Sequence, residues 1–442
     1  MDKLSPKQLS VIERILNKEN IFLSGSAGTG KSLVLTTLIE HLESLDWNIA
    51  ITAPTGVAAI NIGGKTLHAQ LGLGLAKENL RTLIKKAGRP HVRSKWENIN
   101  LLIIDEISMV HPEFFDNINM ILRALFNPLR PFGGIQVLFC GDFFQLPPVN
   151  PKVPSLKTED VERPIEFCFQ TAVWQEIFGE GGNIILTDIF RQQDNEFAGL
   201  LTRVRTGDHT ENDMEILRSR VDIDLDEVDG IRPTIMYSLK ADVEAENMIE
   251  LRQIKKPKFK FDSQMTREYD NPMATTTRYK KEFIKTEKTV NQHLPVEETL
   301  FLKEEAQVML CFNMDFDAEL INGSRGIVTG FSEGNLPIVR FLNGEVRTIG
   351  FNNWETTVRG LGKIIYTQIP LRCCWACTTH KLQGSSLDLV EVALDSTIFA
   401  YGQAYVALSR IRSLEGLKLI DFEESCILTH PDVKEFYASV IE

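Results

Sequence analysis

The chain has 442 residues and a net charge of −12, with 43% hydrophobic and 24% charged residues. That length exceeds one compact core and calls for roughly two to four domains, and no run approaches the ~18 apolar residues of a membrane-spanning helix. Seven cysteines, odd in number and scattered, exclude a disulfide framework and fit reduced thiols.

The start, MDKLSPKQLSVIERI, carries neither a secretory apolar region nor an Arg-rich transit pattern, so an intracellular chain is expected. Residues 4–18 read as an amphipathic helix with Leu9, Val11, Ile12 and Ile15 on one side. A short apolar run, Ile21-Phe22-Leu23, then enters Gly25-Ser26-Ala27-Gly28-Thr29-Gly30-Lys31-Ser32 and the helical stretch Leu33 to Leu42. This is G-x-x-x-x-G-K-[ST] between a strand and a helix. Its glycines let backbone N–H groups fold around phosphate oxygens, and the new helix adds the partial positive charge of its N-terminus. Lys31 is placed to reach the β- and γ-phosphates, and the Ser32 hydroxyl to ligate Mg²⁺. The stretch predicts binding of a nucleoside triphosphate.

Three further apolar strands come next. Asn48 to Ala53 ends in Pro54-Thr55-Gly56, Asn98 to Ile104 runs into Asp105-Glu106, and Ile135 to Cys140 runs into Gly141-Asp142-Phe143-Phe144-Gln145. Continuous apolar strands alternating with helices predict a parallel sheet covered on both faces, with its ligand at the carboxyl ends of the strands. There Asp105 is expected to help hold Mg²⁺, usually through water, and Glu106 to polarise the attacking water. Gln145 either orients that water or contacts the γ-phosphate, or it is a solvated loop amide. Residues 70–97 are polar and basic and read as a small insertion.

Asn183 to Leu186 resumes the pattern, with helices around Glu196–Arg205 and Asp213–Arg220, a strand at Pro233–Tyr237 and a helix at Ala241–Leu251. Residues 255–300 are basic and poorly periodic, and no elements are assigned to them. Between Leu300 and Thr367, short β-like runs (Ala306–Phe312, Asn322–Gly326, Gly326–Phe331, Pro337–Phe341, Glu345–Phe351) predict a small antiparallel barrel. Strand Leu389–Leu394 and helix Gly402–Leu408 return to the α/β pattern. Cys374-Trp375-Ala376-Cys377 lies in an apolar run with no second pair near it and reads as buried core. Arg191 and Arg410, far from Lys31 in sequence, are candidates for cationic stabilisation of a γ-phosphate. His68 and His380 stand alone, without metal-ligand spacing. Net acidity argues against a nucleic-acid partner only superficially, because basic clusters at Arg81–Lys95, Lys255–Lys260 and Arg278–Lys288 leave room for a local groove.

Assembled, these stretches resemble the superfamily 1B helicases, specifically the PIF family, cousins of RecD. The matching strings are LSPKQ, FLSGSAGTGKS, TAPTGVAAINIGGKTLHA, LLIIDEISMV, FGGIQVLFCGDFFQLPPV, IFRQQDNEF, AQVMLCFNMDFDAELINGSRGIV, ACTTHKLQGSSLD and GQAYVALSR, in the family's order from residue 4 to 420. The resemblance implies an α/β fold of two RecA-like P-loop domains with parallel sheets. It divides the chain into domain 1A (1–190, with a 1B wedge at about 70–97), 2A in two parts (191–254 and 368–442), and a β-rich 2B insertion at 255–367 with an SH3-like barrel. It implies an ATP-dependent DNA helicase that moves 5′ to 3′ on single-stranded DNA and unwinds duplexes, forks and G-quadruplexes, in replication, repair, recombination or telomere maintenance.

Residue by residue, the resemblance gives Gln8 the adenine, residues Gly25 to Ser32 the phosphates, and Ser32 and Asp105 the magnesium. Gln145 couples the γ-phosphate to DNA, and Arg191 and Arg410 are two arginine fingers. Pro54, Thr55, His68, Thr379 and His380 lie along the strand, with Gln383 and Gly384 joining the nucleotide cleft to that surface. ATP and Mg²⁺ are the implied cofactors, and single-stranded, forked or G-quadruplex DNA the partner. No membrane partner is implied. The expected state is a monomer when free, with a dimer on DNA and contacts to single-strand-binding or replication proteins left open. The compartment is the nucleus or mitochondrion of a eukaryote, the cytoplasm of a bacterium or the host cell or factory of a virus. Two other readings compete: a single-stranded-DNA-binding protein with a decayed motor, which predicts loss of Lys31, Glu106 or a finger, and a protein-remodelling NTPase, which predicts no second RecA-like half.

Overall fold

The computed structural model describes residues 4–148 and 166–441, leaving out 74, 75, 77, 180, 191–193, 222, 238, 239, 270–283, 285, 286, 288–293, 316, 317, 359–361, 379–386, 397 and 399. The chain forms two compact units. The first comprises Met1–His209, Phe399–Val406 and Ile427–Glu442, and the second Thr210–Ile398 and Ala407–Cys426.

In the first unit the elements are α1 (Pro6–Leu16), β1 (Ile21–Gly25), α2 (Lys31–Ser44), β2 (Ile49–Ala53), α3 (Gly56–Asn61), β3 (Lys65–Thr66), α4 (Leu67–Leu71), α5 (Leu80–Ala87), α6 (Pro90–Arg93), β4 (Leu101–Ile104), α7 (Pro112–Leu125), β5 (Gln136–Cys140), α8 (Ala172–Phe178), β6 (Asn183–Leu186) and α9 (Asn195–Thr206). The six strands form one parallel sheet in the order β3-β2-β4-β5-β1-β6. Alternation along each strand splits its side chains between two cores. Phe22, Leu102, Ile104, Val137 and Phe139 face α7, α8 and the C-terminal helix Pro431–Ile441. Ile21, Leu23, Leu101, Ile103, Leu138 and Cys140 face α1 and α2. Each large side chain fully buried this way contributes roughly 1.5–3 kcal/mol. The basic stretch around α5 and α6 is anchored from its apolar side, where Leu83, Ala87 and Trp96 join the first of these cores.

The second unit holds a four-stranded parallel sheet in the order Ala376–Thr378, Thr234–Tyr237, Val390–Leu394, Leu417–Phe422. Cys374 and Cys377 are buried here, as expected, and Arg372 donates from Nη2 to the Cys377 sulfur at 3.0 Å. A five-stranded antiparallel sheet runs in the order Val346–Thr348, Pro337–Phe341, Arg325–Phe331, Gln307–Leu310, Leu371–Cys373. It closes on a cluster that includes Leu300, Val308, Val339, Phe341 and Trp375. Two expectations are corrected in this region. Residues 322–324 are a turn, and the strand begins at Arg325, because Asn322-Gly323-Ser324 is turn chemistry. The stretch 255–300, to which the sequence assigns no elements, contains strands Phe259–Asp262, Gln264–Tyr269 and Thr299–Leu302. Gln264–Tyr269 is exposed along its whole length, so no hydrophobic period marks it.

Candidate functional site

The sheet order puts three motif-bearing strand ends side by side, because β4, β5 and β1 are consecutive neighbours. Their carboxyl ends carry Asp105-Glu106, the Asp142–Gln145 turn and the phosphate loop. This is where an open parallel sheet presents a ligand.

The phosphate loop takes its shape from glycine. Gly28 and Gly30 have φ of 84° and 82°, in the left-handed region. Gly30 caps α2 with no side-chain hydrogen bond, so the free N–H groups of the first turn face the loop. A Cβ on Gly30 would lie 2.5 Å from Gln8 Nε2. Gly30→Ala combines this overlap with the ~1–2 kcal/mol cost of the left-handed region, and is expected to weaken nucleotide binding by about tenfold or more. Titration with a fluorescent ADP analogue measures it, and wild-type affinity would contradict it.

Lys31 Nζ donates to the carbonyls of Gly25 (2.7 Å) and Ser26 (3.0 Å), folding the ammonium back over the loop. Ser32 is exposed in the first turn of α2. Ala27 N–H donates to the Tyr405 hydroxyl at 2.9 Å. Gln8 is buried and closes a capping box: its Oε1 accepts from Ser5 N (2.8 Å), and its own N–H donates to Ser5 Oγ (3.3 Å). Its Nε2 also donates to Thr29 O at 3.1 Å, tying α1 to the phosphate loop. Each amide atom of Gln8 retains a second hydrogen-bonding position, one donor and one acceptor. Beside it, Leu186, Thr187, Asp188 and Phe190 line a narrow cleft with Ser5 and Thr29.

Asp105 N–H extends the ladder by donating to Thr52 O at 2.9 Å. Burial pushes the Asp105 carboxyl up, while the Glu106 N–H, a hydrogen bond with Cys140 and the charge of Lys31 pull it down. Glu106 occupies the left-handed region, with φ 51° and ψ 46°, and its N–H donates to Asp105 Oδ1 at 2.9 Å.

Gln145 is buried, and its N–H donates to Asp142 O at 3.0 Å. Asp142 is fully buried and accepts both arms of Arg205, Nε on Oδ2 at 2.9 Å and Nη2 on Oδ1 at 2.8 Å. Burial pulls the Arg205 pKa down, but the Asp142 carboxylate overrides that and keeps the guanidinium charged. The same carboxylate accepts from Phe144 N at 3.2 Å and from the Tyr437 hydroxyl at 3.3 Å. Arg205 also lies over the Phe144 ring at 4.4 Å. In the sequence Asp142 stands out only as one letter of the GDFFQ string. Arg205 is there only the end of a predicted helix, Tyr405 one letter of GQAYVALSR, and Tyr437 gives no signal.

Thr55 caps α3, accepting from Ala58 N on Oγ1 (3.2 Å) and from Ala59 N on its carbonyl (3.0 Å), with Pro54 before it at the end of β2. His68, in α4, stacks on Phe114 with centroids 4.2 Å apart and planes at 11°. Arg410 belongs to the second unit, is buried, and donates from Nη2 to Ser409 Oγ at 3.0 Å. Arg191, Thr379, His380, Gln383 and Gly384 lie outside the described residues. The structure thus gathers Gln8, Gly25–Ser32, Asp105, Glu106 and Gln145 on one sheet edge.

A family model described as PIF1-like helicase matches residues 3–215, and one described as the DNA helicase Pif1 2B domain matches residues 285–331. The ATP-dependent DNA helicase PIF1 of Xenopus laevis is 40% identical over 437 residues, covering 98% of this chain and 64% of that protein. The chain thus spans about two thirds of the length of such curated relatives. Among solved structures, a Bacteroides Pif1 in complex with ADP-AlF4 is 30% identical, with a TM-score of 0.79, covering 99% of this chain and 96% of that one. Bacteroides Pif1 bound to single-stranded DNA matches with a TM-score of 0.62, 30% identity and coverage of 99% and 97%. On these grounds the chain belongs to the PIF1-like helicase family.

Proposed function

We propose that this chain is an ATP-driven motor that walks 5′ to 3′ along single-stranded DNA and unwinds duplexes, forks and G-quadruplexes. The observation that carries the reading is the adjacency of the phosphate loop, Asp105-Glu106 and the Gln145 turn on β1, β4 and β5. The names and ligands of the similar proteins support the same reading.

Gln8 would meet the adenine edge with its remaining donor and acceptor. Lys31 would leave the Gly25 and Ser26 carbonyls for the β- and γ-phosphates, which compete for the same ammonium. The residues fit a magnesium ion: an exposed Ser32 hydroxyl in the first turn of α2 and the Asp105 carboxyl at the neighbouring strand end are hard oxygen donors. When bound, the ion would neutralise charge on the phosphate oxygens. Glu106 would take the proton of the attacking water, with Gln145 orienting that water against the γ-phosphate. Arg191 and Arg410 would stabilise transition-state charge. Pro54, Thr55, His68, Thr379 and His380 would hold the strand, with Gln383 and Gly384 linking it to the nucleotide. Phosphate contacts and base stacking of this kind bind without sequence preference. The domain scheme of 1A to residue 190, 2A at 191–254 and 368–442, and 2B at 255–367 is part of the same proposal, as is pairing of two copies on a fork. Among the described residues no helix is long and apolar enough to cross a membrane. The proposed setting is wherever the host replicates and repairs DNA.

The test is ATP-driven unwinding of two partial duplexes, one with a 5′ single-stranded tail and one with a 3′ tail. Unwinding from the 5′ tail alone, lost on chelation of Mg²⁺, is expected. Unwinding only from the 3′ tail would overturn the direction. Hydrolysis that DNA does not stimulate would overturn the helicase reading.

A further inference from the structure

We propose that Tyr437, in the C-terminal helix, is a positioning residue for ATP hydrolysis whose hydroxyl ties the strand end before the phosphate loop to the turn that carries Gln145. The proposal rests on the ATPase reading above and names a residue that acts through Gln145.

The last paired residues of β1 and β5 are Leu23 and Cys140, and one more backbone bond, from Gly141 N to Leu23 O at 3.1 Å, closes the ladder. Beyond it β1 runs on to Gly25 beside β6, while the chain after β5 turns away into the loop that carries Gln145. Tyr437 bridges them there. Its Oη lies 2.5 Å from Ser24 Oγ, immediately before Gly25, and accepts from Phe143 N at 3.2 Å. It also reaches Asp142 Oδ1 at 3.3 Å. Ser24 and Asp142 are fully buried, and Tyr437 is 3% exposed.

One proton arrangement satisfies all three contacts. The ionised carboxylate can only accept, so the phenol donates to Asp142, and Ser24 O–H and Phe143 N–H donate to the phenol oxygen. Burial, and then the charge of Asp142, push the phenol pKa up, so the donor keeps its proton. The ring is fixed as well, stacked on Phe144 with centroids 4.8 Å apart and planes at 16°.

Each side of this bridge is one step from a reacting group. Ser24 adjoins Gly25, whose carbonyl anchors Lys31, and Asp142 O receives the N–H of Gln145. Removing the hydroxyl leaves the strand end and the turn folded but loosens the tie between them, and misplacing reacting groups by about 1 Å can cost up to about 10²-fold in rate.

Tyr437→Phe keeps the ring and its stack. It is expected to lower kcat for DNA-stimulated ATP hydrolysis roughly tenfold, with KM for ATP and affinity for an ADP analogue held within roughly twofold. Ser24→Ala breaks the bridge from the other side and should give the same loss, no larger when combined with Tyr437→Phe. In a Gln145→Ala background, Tyr437→Phe should cost less than about twofold, because its effect passes through that glutamine. Multiplicative losses in both backgrounds, or a raised KM with kcat kept, would overturn the tyrosine's role alone. Absence of hydrolysis by the unsubstituted chain would overturn the ATPase reading together with it.

Discussion

Glu106→Gln is expected to lower ATP hydrolysis by about 10²–10⁴-fold, the range supplied by a positioned general base, while leaving nucleotide binding intact. The substitution keeps the shape of the side chain and removes only its ability to take a proton. The backbone conformation that aims it, φ 51° and ψ 46°, is set by the Glu106 N–H bond to Asp105 Oδ1, which the substitution leaves in place. Burial already holds Asp105 above the ordinary carboxylate range, and a bound cation would lower it by favouring the charged form. The two adjacent acids therefore have separable defects. Glu106→Gln should bind an ADP analogue with wild-type affinity and show no turnover above roughly one per cent of wild type. Asp105→Asn should lose Mg²⁺ dependence of binding as well. A Glu106→Gln variant with more than about a tenth of wild-type turnover would move the base elsewhere.

The shared edge of the motif-bearing strands was legible because each of its parts ends an apolar strand. FLSG, LLII and VLFC could only be buried parallel strands, and the residues just past them had to sit at one sheet edge. The first helix was legible from its apolar face, whereas the capping box of Ser5 and Gln8 that starts it emerges only in the structure. Other features left no local mark. Gln264–Tyr269 is a strand because Gly362–Gln368 pairs with it along its full length, and its own side chains are all exposed. Asn322-Gly323-Ser324 looked like the start of a strand and is the turn before one. The Tyr437 contacts join residues more than 290 positions apart, and no spacing rule reaches that far. Arg205 and Asp142 each look like ordinary charged residues until the fold buries both.

That burial sets the largest stability effect expected in the first unit. Asp142→Ala should cost about 3–5 kcal/mol, because it strands a charged guanidinium whose side chain is 10% exposed and which bonds to no other carboxylate among the described residues. Coulomb attraction and desolvation nearly cancel in such a pair, so its net worth is small. The cost of losing one partner is not small, since the other keeps its desolvation penalty without compensation. Arg205→Met together with Asp142→Leu should therefore recover most of the loss that either single change causes, while Asp142→Asn, which keeps an acceptor, should fall between. Thermal unfolding gives the measure, with a drop of roughly 10 °C expected for Asp142→Ala in the transition of the unit that contains it. Equal melting of Asp142→Ala and wild type would mean that water reaches Arg205. Recovery of stability in the double variant without recovery of ATP turnover is the further expectation, because the Asp142 carboxylate also accepts from Phe144 N and from the Tyr437 hydroxyl. The apolar pair would restore the packing of the turn and leave its side-chain hydrogen bonds unmade.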